Sequence, residues 1–219
     1  MAEQKKKREP LFSAKNMKLL TTPLGKENPI TVQVLGVCSA LAVTAKLEPA
    51  IVMALSVTVV LAVGNFVISL LRKTIPSRIR IIVQLIVIAS LVILVDMVLK
   101  AFAYEVSKQL SVFVGLIITN CVIMGRFEAF GMVNKPWPSF LDGIGNGMGY
   151  GLILVIVAFV RELLGSGTVY GFKVIPQAFY DMGYINNGFA ILPPMALVMI
   201  GIIIWIQRSK RKDLIEEKK

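Results

Sequence analysis

Residues 49–71 read PAIVMALSVTVVLAVGNFVISLL, with no charged residue anywhere in the run. Twenty-three residues of helix rise about 34 Å, enough to cross a hydrocarbon core of about 30 Å. Similar runs follow at 79–99, 143–163 and 189–206. A backbone in lipid must satisfy its own N–H and C=O groups, so apolar runs of this length fold as membrane-spanning helices or are buried wholly in protein. Composition favours the membrane. The hydrophobic fraction is 56%, charged residues are 17% and mean hydropathy is +0.74. Soluble domains sit near 45–50% apolar.

Two shorter apolar runs, 30–45 and 110–125, complete a reading of six spans. No cleavable leader is apparent, because Lys15 and Lys18 interrupt the first apolar stretch. Lys and Arg counts set the orientation. One side holds seven basic residues before span 1, four at 72–80, two at 126–142 and six after span 6, which is nineteen. The other side holds Lys46, Lys100, Lys108, Arg161 and Lys173. Both termini are therefore expected in the cytoplasm, and the net charge of +11 is a topology signal rather than a nucleic-acid footprint. Trp205 before Arg208, and Trp137 in an inner loop reading KPWPSF, look like interfacial anchors.

Spans 1 and 4 are short, at about 24 Å each against a core of about 30 Å, which points to interrupted spans or to helices that tilt little or thin the bilayer. Each ends in a related signature, Lys46-Leu47-Glu48-Pro49-Ala50 and Arg126-Phe127-Glu128-Ala129-Phe130. Each leads into a longer span that closes on arginine, SLLRKT at 69–74 and AFVREL at 158–163. The chain thus reads as two units of three spans. Three is odd, so the second unit is inserted upside down. Paired short or interrupted spans in an inverted repeat point to a site near the membrane midplane.

The chain has no histidine, which removes His-based metal, haem and acid–base chemistry, and only two cysteines. Cys38 lies in span 1 (VLGVCSALAVTAK) and Cys121 in span 4 (LIITNCVIMGR). A single membrane cysteine is most often a small packing residue. Their symmetric placement opens other roles: a disulfide, or half of a four-ligand metal site completed by a partner. On straight helices the two thiols would differ in depth by roughly 10 Å. Breaks at Gly36, Asn120 and Gly125 would remove that difference.

VQVLGVCSALAVT, SVFVGLIITNCVIMGRFEAF, DGIGNGMGYG and RELLGSG closely resemble the membrane-subunit family shared by bacterial sodium-translocating NADH:quinone oxidoreductases and Rnf ferredoxin:NAD oxidoreductases, the D-type members above all. The likeness runs from about residue 28 to 207. The resemblance implies a six-subunit complex of the inner membrane that passes electrons from NADH through flavins and iron–sulfur centres to quinone and exports sodium. It implies a [2Fe-2S] cluster held between this chain and a homologous, oppositely oriented E-type member, two cysteines from each. Here these are Cys38 and Cys121. NADH, flavins and quinone would be bound by other subunits, and this chain alone would not be catalytic. An Rnf subunit, or an inverted-repeat ion transporter whose cysteines only pack, stands as the alternative.

The remaining motifs have plainer readings. DGIGNGMGYG at 142–151 lacks the G-x-G-x-x-G spacing and opens a hydrophobic span, so it is no nucleotide loop. Gly143, Gly147 and Gly151 lie four apart, as do Gly145 and Gly149, which puts two small faces on one helix for close neighbours. GSGTV at 165–169 reads as a helix-ending turn, not a flavin-attachment sequence. Asp96 and Lys100 are spaced for an i,i+4 ion pair, and Lys46–Glu48 and Arg126–Glu128 for pairs across a turn or for subunit contacts. The expectation is an all-α integral membrane protein of six transmembrane helices in two inverted three-helix repeats, with spans 1 and 4 interrupted. A cytoplasmic segment covers 1–28, the transmembrane domain 29–207 (repeats about 29–104 and 108–207), and a basic tail 208–219.

Overall fold

A computed structural model of the chain describes residues 14–25, 27–76, 78–102, 115–169, 172–173 and 188–210. The start of span 4, the loops around Lys108 and 174–187, and most of the basic tail lie outside the described residues. The fold is helical: α1 Ala14–Gly25, α2 Val37–Val43, α3 Leu47–Leu71, α4 Arg80–Phe102, α5 Cys121–Arg126 running into a π-turn Phe127–Gly131, α6 Pro136–Ser166, a 3-10 turn Gly188–Ile191 and α7 Pro193–Lys210. A two-residue hairpin, β1 Thr168–Val169 with β2 Phe172–Lys173, is the one departure from all-α character among the described residues. Of the described helices, α3, α4 and α6 are long and apolar enough to cross a membrane.

The α3–α6 pair forms the centre. α3 is apolar all round, as a helix between protein and lipid should be. Ala50, Met53, Val57, Leu61, Gly64 and Ile68 face the protein, while Leu55, Val59, Phe66 and Leu70 are exposed. The two glycine faces of α6 separate as the spacing predicts. A Cβ on Gly143 would sit 2.6 Å from Ala62 Cα, one on Gly147 2.7 Å from Thr58 Cα, and one on Gly151 2.9 Å from Ala54 Cβ, all on α3. The other face meets α1: Cβ positions at Gly145 and Gly149 fall 2.5 Å from Leu19 O and 2.6 Å from Pro23 O. The segment before residue 28, expected only as a cytoplasmic tail, thus contains a helix docked on α6. Its mixed composition and internal Pro23 hid it from a hydropathy reading.

α6 starts earlier than expected. Pro136 takes a first-turn position, where its missing N–H costs nothing, so Trp137 lies on a helix rather than in a loop. Its far end stops at Gly167, whose φ of 67° and N–H bond to Leu163 O terminate the helix as the GSGTV reading requires.

Neither short span is a continuous helix. In span 1, residues 29–32 are turns and 33–36 irregular, with Asn28 Oδ1 accepting the N–H groups of Ile30 and Thr31, and only Val37–Val43 is helical. Span 4 is helical over 115–118, opens at Thr119–Asn120 and restarts as α5.

The two closing arginines both reach far along the chain. Arg72, ending α3, donates to Val133 O and Asn134 O beyond the π-turn, both at 2.7 Å. Arg161, near the end of α6, donates to Leu41 O at 3.5 Å and to Thr44 Oγ1 at the end of α2, and also to Ala190 O at 3.0 Å and to Ile191 O. Beside it, Glu162 Oε2 accepts the Leu47 N–H at 2.6 Å, where α3 begins. Each arginine thus ties its long helix to the segment that follows a break in a short span: Arg72 to residues after the π-turn and Arg161 to the end of α2.

The proposed turn pairs do not form. Arg126 grips Asp142, a carboxylate with 2% exposure, through Nε and Nη2. Glu128 pairs with Arg80 at 2.6 Å and accepts from Gln84 at 3.2 Å. Side chains two apart on a helix point to opposite sides, so Arg126, ending α5, and Glu128, in the π-turn, reach different partners. Asp96 and Lys100 do pair, at 2.5 Å.

Candidate functional site: a thiol pair where the broken spans meet

The two breaks face each other. Cys38 is the second residue of α2 and Cys121 the first residue of α5. Their sulfurs stand 4.0 Å apart as free thiols, Cys38 exposed and Cys121 half-buried. The depth difference of roughly 10 Å expected for straight spans is absent. Each span stops and turns at its break, so the helix bearing each thiol starts where the sulfurs meet.

The local sequence produces that geometry. Gly36 holds φ at 78°, in the left-handed region where a Cβ is strained. A Cβ there would also lie 2.7 Å from Val122 Cγ2 and 3.0 Å from Tyr150 Cε2. Freed from helical pairing, the Gly36 N–H donates to Cys121 Sγ at 3.0 Å. Val34, at φ 54°, makes the second sharp change of direction before α2. On the other side Asn120 caps α5, its Oδ1 accepting the Val122 N–H at 3.0 Å. The asparagine beside Cys121 thus supplies an acceptor for one N–H left without a helical partner at the break.

Behind the sulfurs is a closed polar cluster. Ser39 Oγ and Tyr150 Oη are 2.7 Å apart, and Asn120 Nδ2 lies 3.4 Å from the first and 3.5 Å from the second. All three residues are fully buried. Ile117, Val122 and Ile123 add apolar walls nearby. Sequence reasoning found both cysteines and Asn120 but assigned nothing to Ser39 or Tyr150. Tyr150 was hidden inside a glycine run whose obvious meaning was packing. Among the described residues, Asp96, Glu128 and Glu162 are held in the pairings given above, and Glu48 lies in the first turn of α3.

Chemically, the site is two soft donors at a protein surface. A tetrahedral metal with bonds of about 2.3 Å separates two thiolates by about 3.7–3.8 Å, close to the 4.0 Å found. Among the described residues no three His, Cys, Asp or Glu side chains converge on a common point. A metal held here would draw its other ligands from beyond the described residues.

Residues 16–204 match a protein family described as "Rnf-Nqr subunit, membrane protein". Two similar proteins are named as the D subunit of the Na(+)-translocating NADH-quinone reductase. One, from Aeromonas hydrophila subsp. hydrophila, is 59% identical over 92% of this chain and 96% of its own length. The other, from Shewanella sp. (strain W3-18-1), is 56% identical over 95% of this chain and all of its own length.

Proposed function

The chain belongs to the Rnf-Nqr family of membrane subunits, and on that premise we propose that it is the D-type subunit of a sodium-pumping NADH:quinone oxidoreductase. In this reading it lies in the bacterial inner membrane with both termini in the cytoplasm. It holds half of an intramembrane [2Fe-2S] cluster, with a homologous, oppositely oriented E-type member of the complex supplying the other half. Flavins, NADH and quinone are bound by other subunits, and the chain relays electrons in a sequence coupled to sodium export.

The observation that carries this reading is the thiol pair itself, two sulfurs 4.0 Å apart brought together by two separately broken spans. The donor set fits the group. A [2Fe-2S] centre takes four cysteine sulfurs, and two from each of two subunits complete it. When bound, such a cluster accepts and gives up single electrons. This chain's own part is to hold iron through Cys38 and Cys121, to direct the Gly36 N–H at Cys121 Sγ, and to seal the rear of the pair with buried side chains. The exposure of Cys38 leaves the front of the pair open for the partner's ligands.

Replacing Cys38 or Cys121 by Ala in the whole complex tests this. The expected result is loss of this cluster's own contribution to the iron–sulfur EPR signal and of NADH-to-quinone electron flow, while NADH oxidation by an artificial acceptor at the upstream flavin persists. Retention of iron and quinone reduction in either variant would refute the reading and leave the cysteines as packing residues.

A further inference from the structure

The Ser39–Tyr150–Asn120 cluster has a definite donor order. Ser39 Oγ lies 2.8 Å from Gly36 O, which only accepts, so the single serine proton is committed there. At the 2.7 Å contact the phenol must then donate to Ser39. Asn120 has its oxygen occupied by the Val122 N–H and turns its amide N–H toward both hydroxyl oxygens. The order runs Asn120 to Tyr150 to Ser39 to the Gly36 carbonyl.

The positions matter as much as the order. Ser39 follows Cys38 directly, and Asn120 directly precedes Cys121. Gly36, which receives the last bond through its carbonyl, carries the N–H that meets Cys121 Sγ. The Tyr150 ring also lies beneath Gly36, within 3.0 Å of where a Cβ would be. Tyr150 stands on α6, a third element whose glycine faces lock it against α3 and α1.

We propose that Tyr150 is a positioning residue for the thiol pair: its hydroxyl ties the residue beside Cys38 to the residue beside Cys121, and so sets the sulfur spacing and the Gly36 N–H bond to Cys121. The redox consequence rests on the reading that the pair holds iron; the spacing does not. An N–H donor at a thiolate draws off negative charge and favours the reduced state of a centre bound there. Loosening that bond makes the centre harder to reduce.

The test uses Tyr150→Phe in the whole complex, which removes one oxygen and keeps the ring, with Ser39→Ala as the second variant. Two quantities are read. After iron is removed with dithionite and a chelator, the affinity of the dithiol-bridging probe phenylarsine oxide is expected to fall about fivefold in each variant, because the two sulfurs are no longer held for simultaneous bonding. In the iron-loaded complex, an EPR-monitored redox titration is expected to show a midpoint lower by about 59 mV, a tenfold change in a one-electron equilibrium. The double variant should shift no further than either single one, because the two hydroxyls act in one chain. An assembled variant with full EPR intensity and an unchanged midpoint overturns the proposal, as does unchanged probe affinity. If Tyr150→Phe does not assemble, Ser39→Ala is read alone by the same measures; failure of both to assemble overturns the proposal in favour of a role in folding. A wild-type complex lacking a Cys38-dependent iron signal would defeat the cluster assignment, and the probe measurement would still decide the positioning.

Discussion

Gly143→Ala should separate the two central helices. Its Cβ would fall 2.6 Å from Ala62 Cα, 2.8 Å from Leu61 O and 2.9 Å from Ala62 N, all backbone atoms of α3. Carbon contacts settle near 3.5–4.0 Å, so α3 and α6 must part by about 1 Å locally. A gap of that size forfeits a quarter to a half of the dispersion at each contact it opens. Overpacking of this kind costs about 1–3 kcal/mol, and backbone on the receiving side puts this case at the upper end, because no side chain can rotate away. Alanine's better helix propensity returns about 1 kcal/mol. The net expectation is a loss of about 2 kcal/mol. Adding Gly147→Ala, whose Cβ meets Thr58 Cα at 2.7 Å, should cost less than the sum, because the helices have already parted. The control is Gly201→Ala in α7, where a Cβ meets nothing within 4 Å and the change should be neutral or stabilising. The assay is the temperature at which a fluorescently tagged chain in the detergent-solubilised complex leaves the monodisperse peak. If Gly143→Ala proved as heat-stable as Gly201→Ala, the close-approach argument would be wrong.

Three further outcomes are expected. Arg161→Ala strips donors from the Leu41, Ala190 and Ile191 carbonyls at once, and with charged hydrogen bonds contributing about 1.5–3 kcal/mol each, the complex should fail to accumulate; Arg161→Lys, which lacks the fork, should rescue it poorly on an immunoblot of membranes. Asp142→Asn should destabilise by about 3 kcal/mol because it leaves the part-buried Arg126, 13% exposed, without its counter-charge, whereas Glu128→Gln, whose pair with Arg80 is 39% and 42% exposed, should cost less than about 1 kcal/mol; equal losses in the same thermal assay would contradict the burial argument. Reporter fusions at Lys46 and Lys173 should read outside and those at Arg78 and Lys135 inside, and an outside reading at Lys135 would overturn the inverted-repeat orientation.

Much of this molecule is legible in local composition. Burying apolar side chains in lipid is a local, roughly additive free energy, so α3, α4 and α7 fall within a few residues of where hydropathy alone places them. The i, i+4 glycine spacing was equally readable, because small residues on one helical face have one main use in a membrane. The short spans with Gly36 and Asn120 marked where the helices break, whereas Gly125, also expected at a break, lies inside α5; the two cysteines marked the site. What escaped was whatever required knowing a neighbour: α1 against the second glycine face, the pairing of Glu128 with Arg80, and the long-range bonds of Arg72 and Arg161.

The thiol site divides the same way. Its residue types, and the two interruptions that present them, are in the chain's own order of amino acids. That Cys38 and Cys121 meet at 4.0 Å is a property of packing. It depends on a left-handed glycine in one segment, an asparagine cap far along the chain, and a tyrosine from a third segment that bonds to both sides. Hydropathy and spacing act between near neighbours along the chain. A hydrogen bond such as Gly36 N–H to Cys121 Sγ spans 85 positions, and its geometry exists only once α6 has brought the two breaks together.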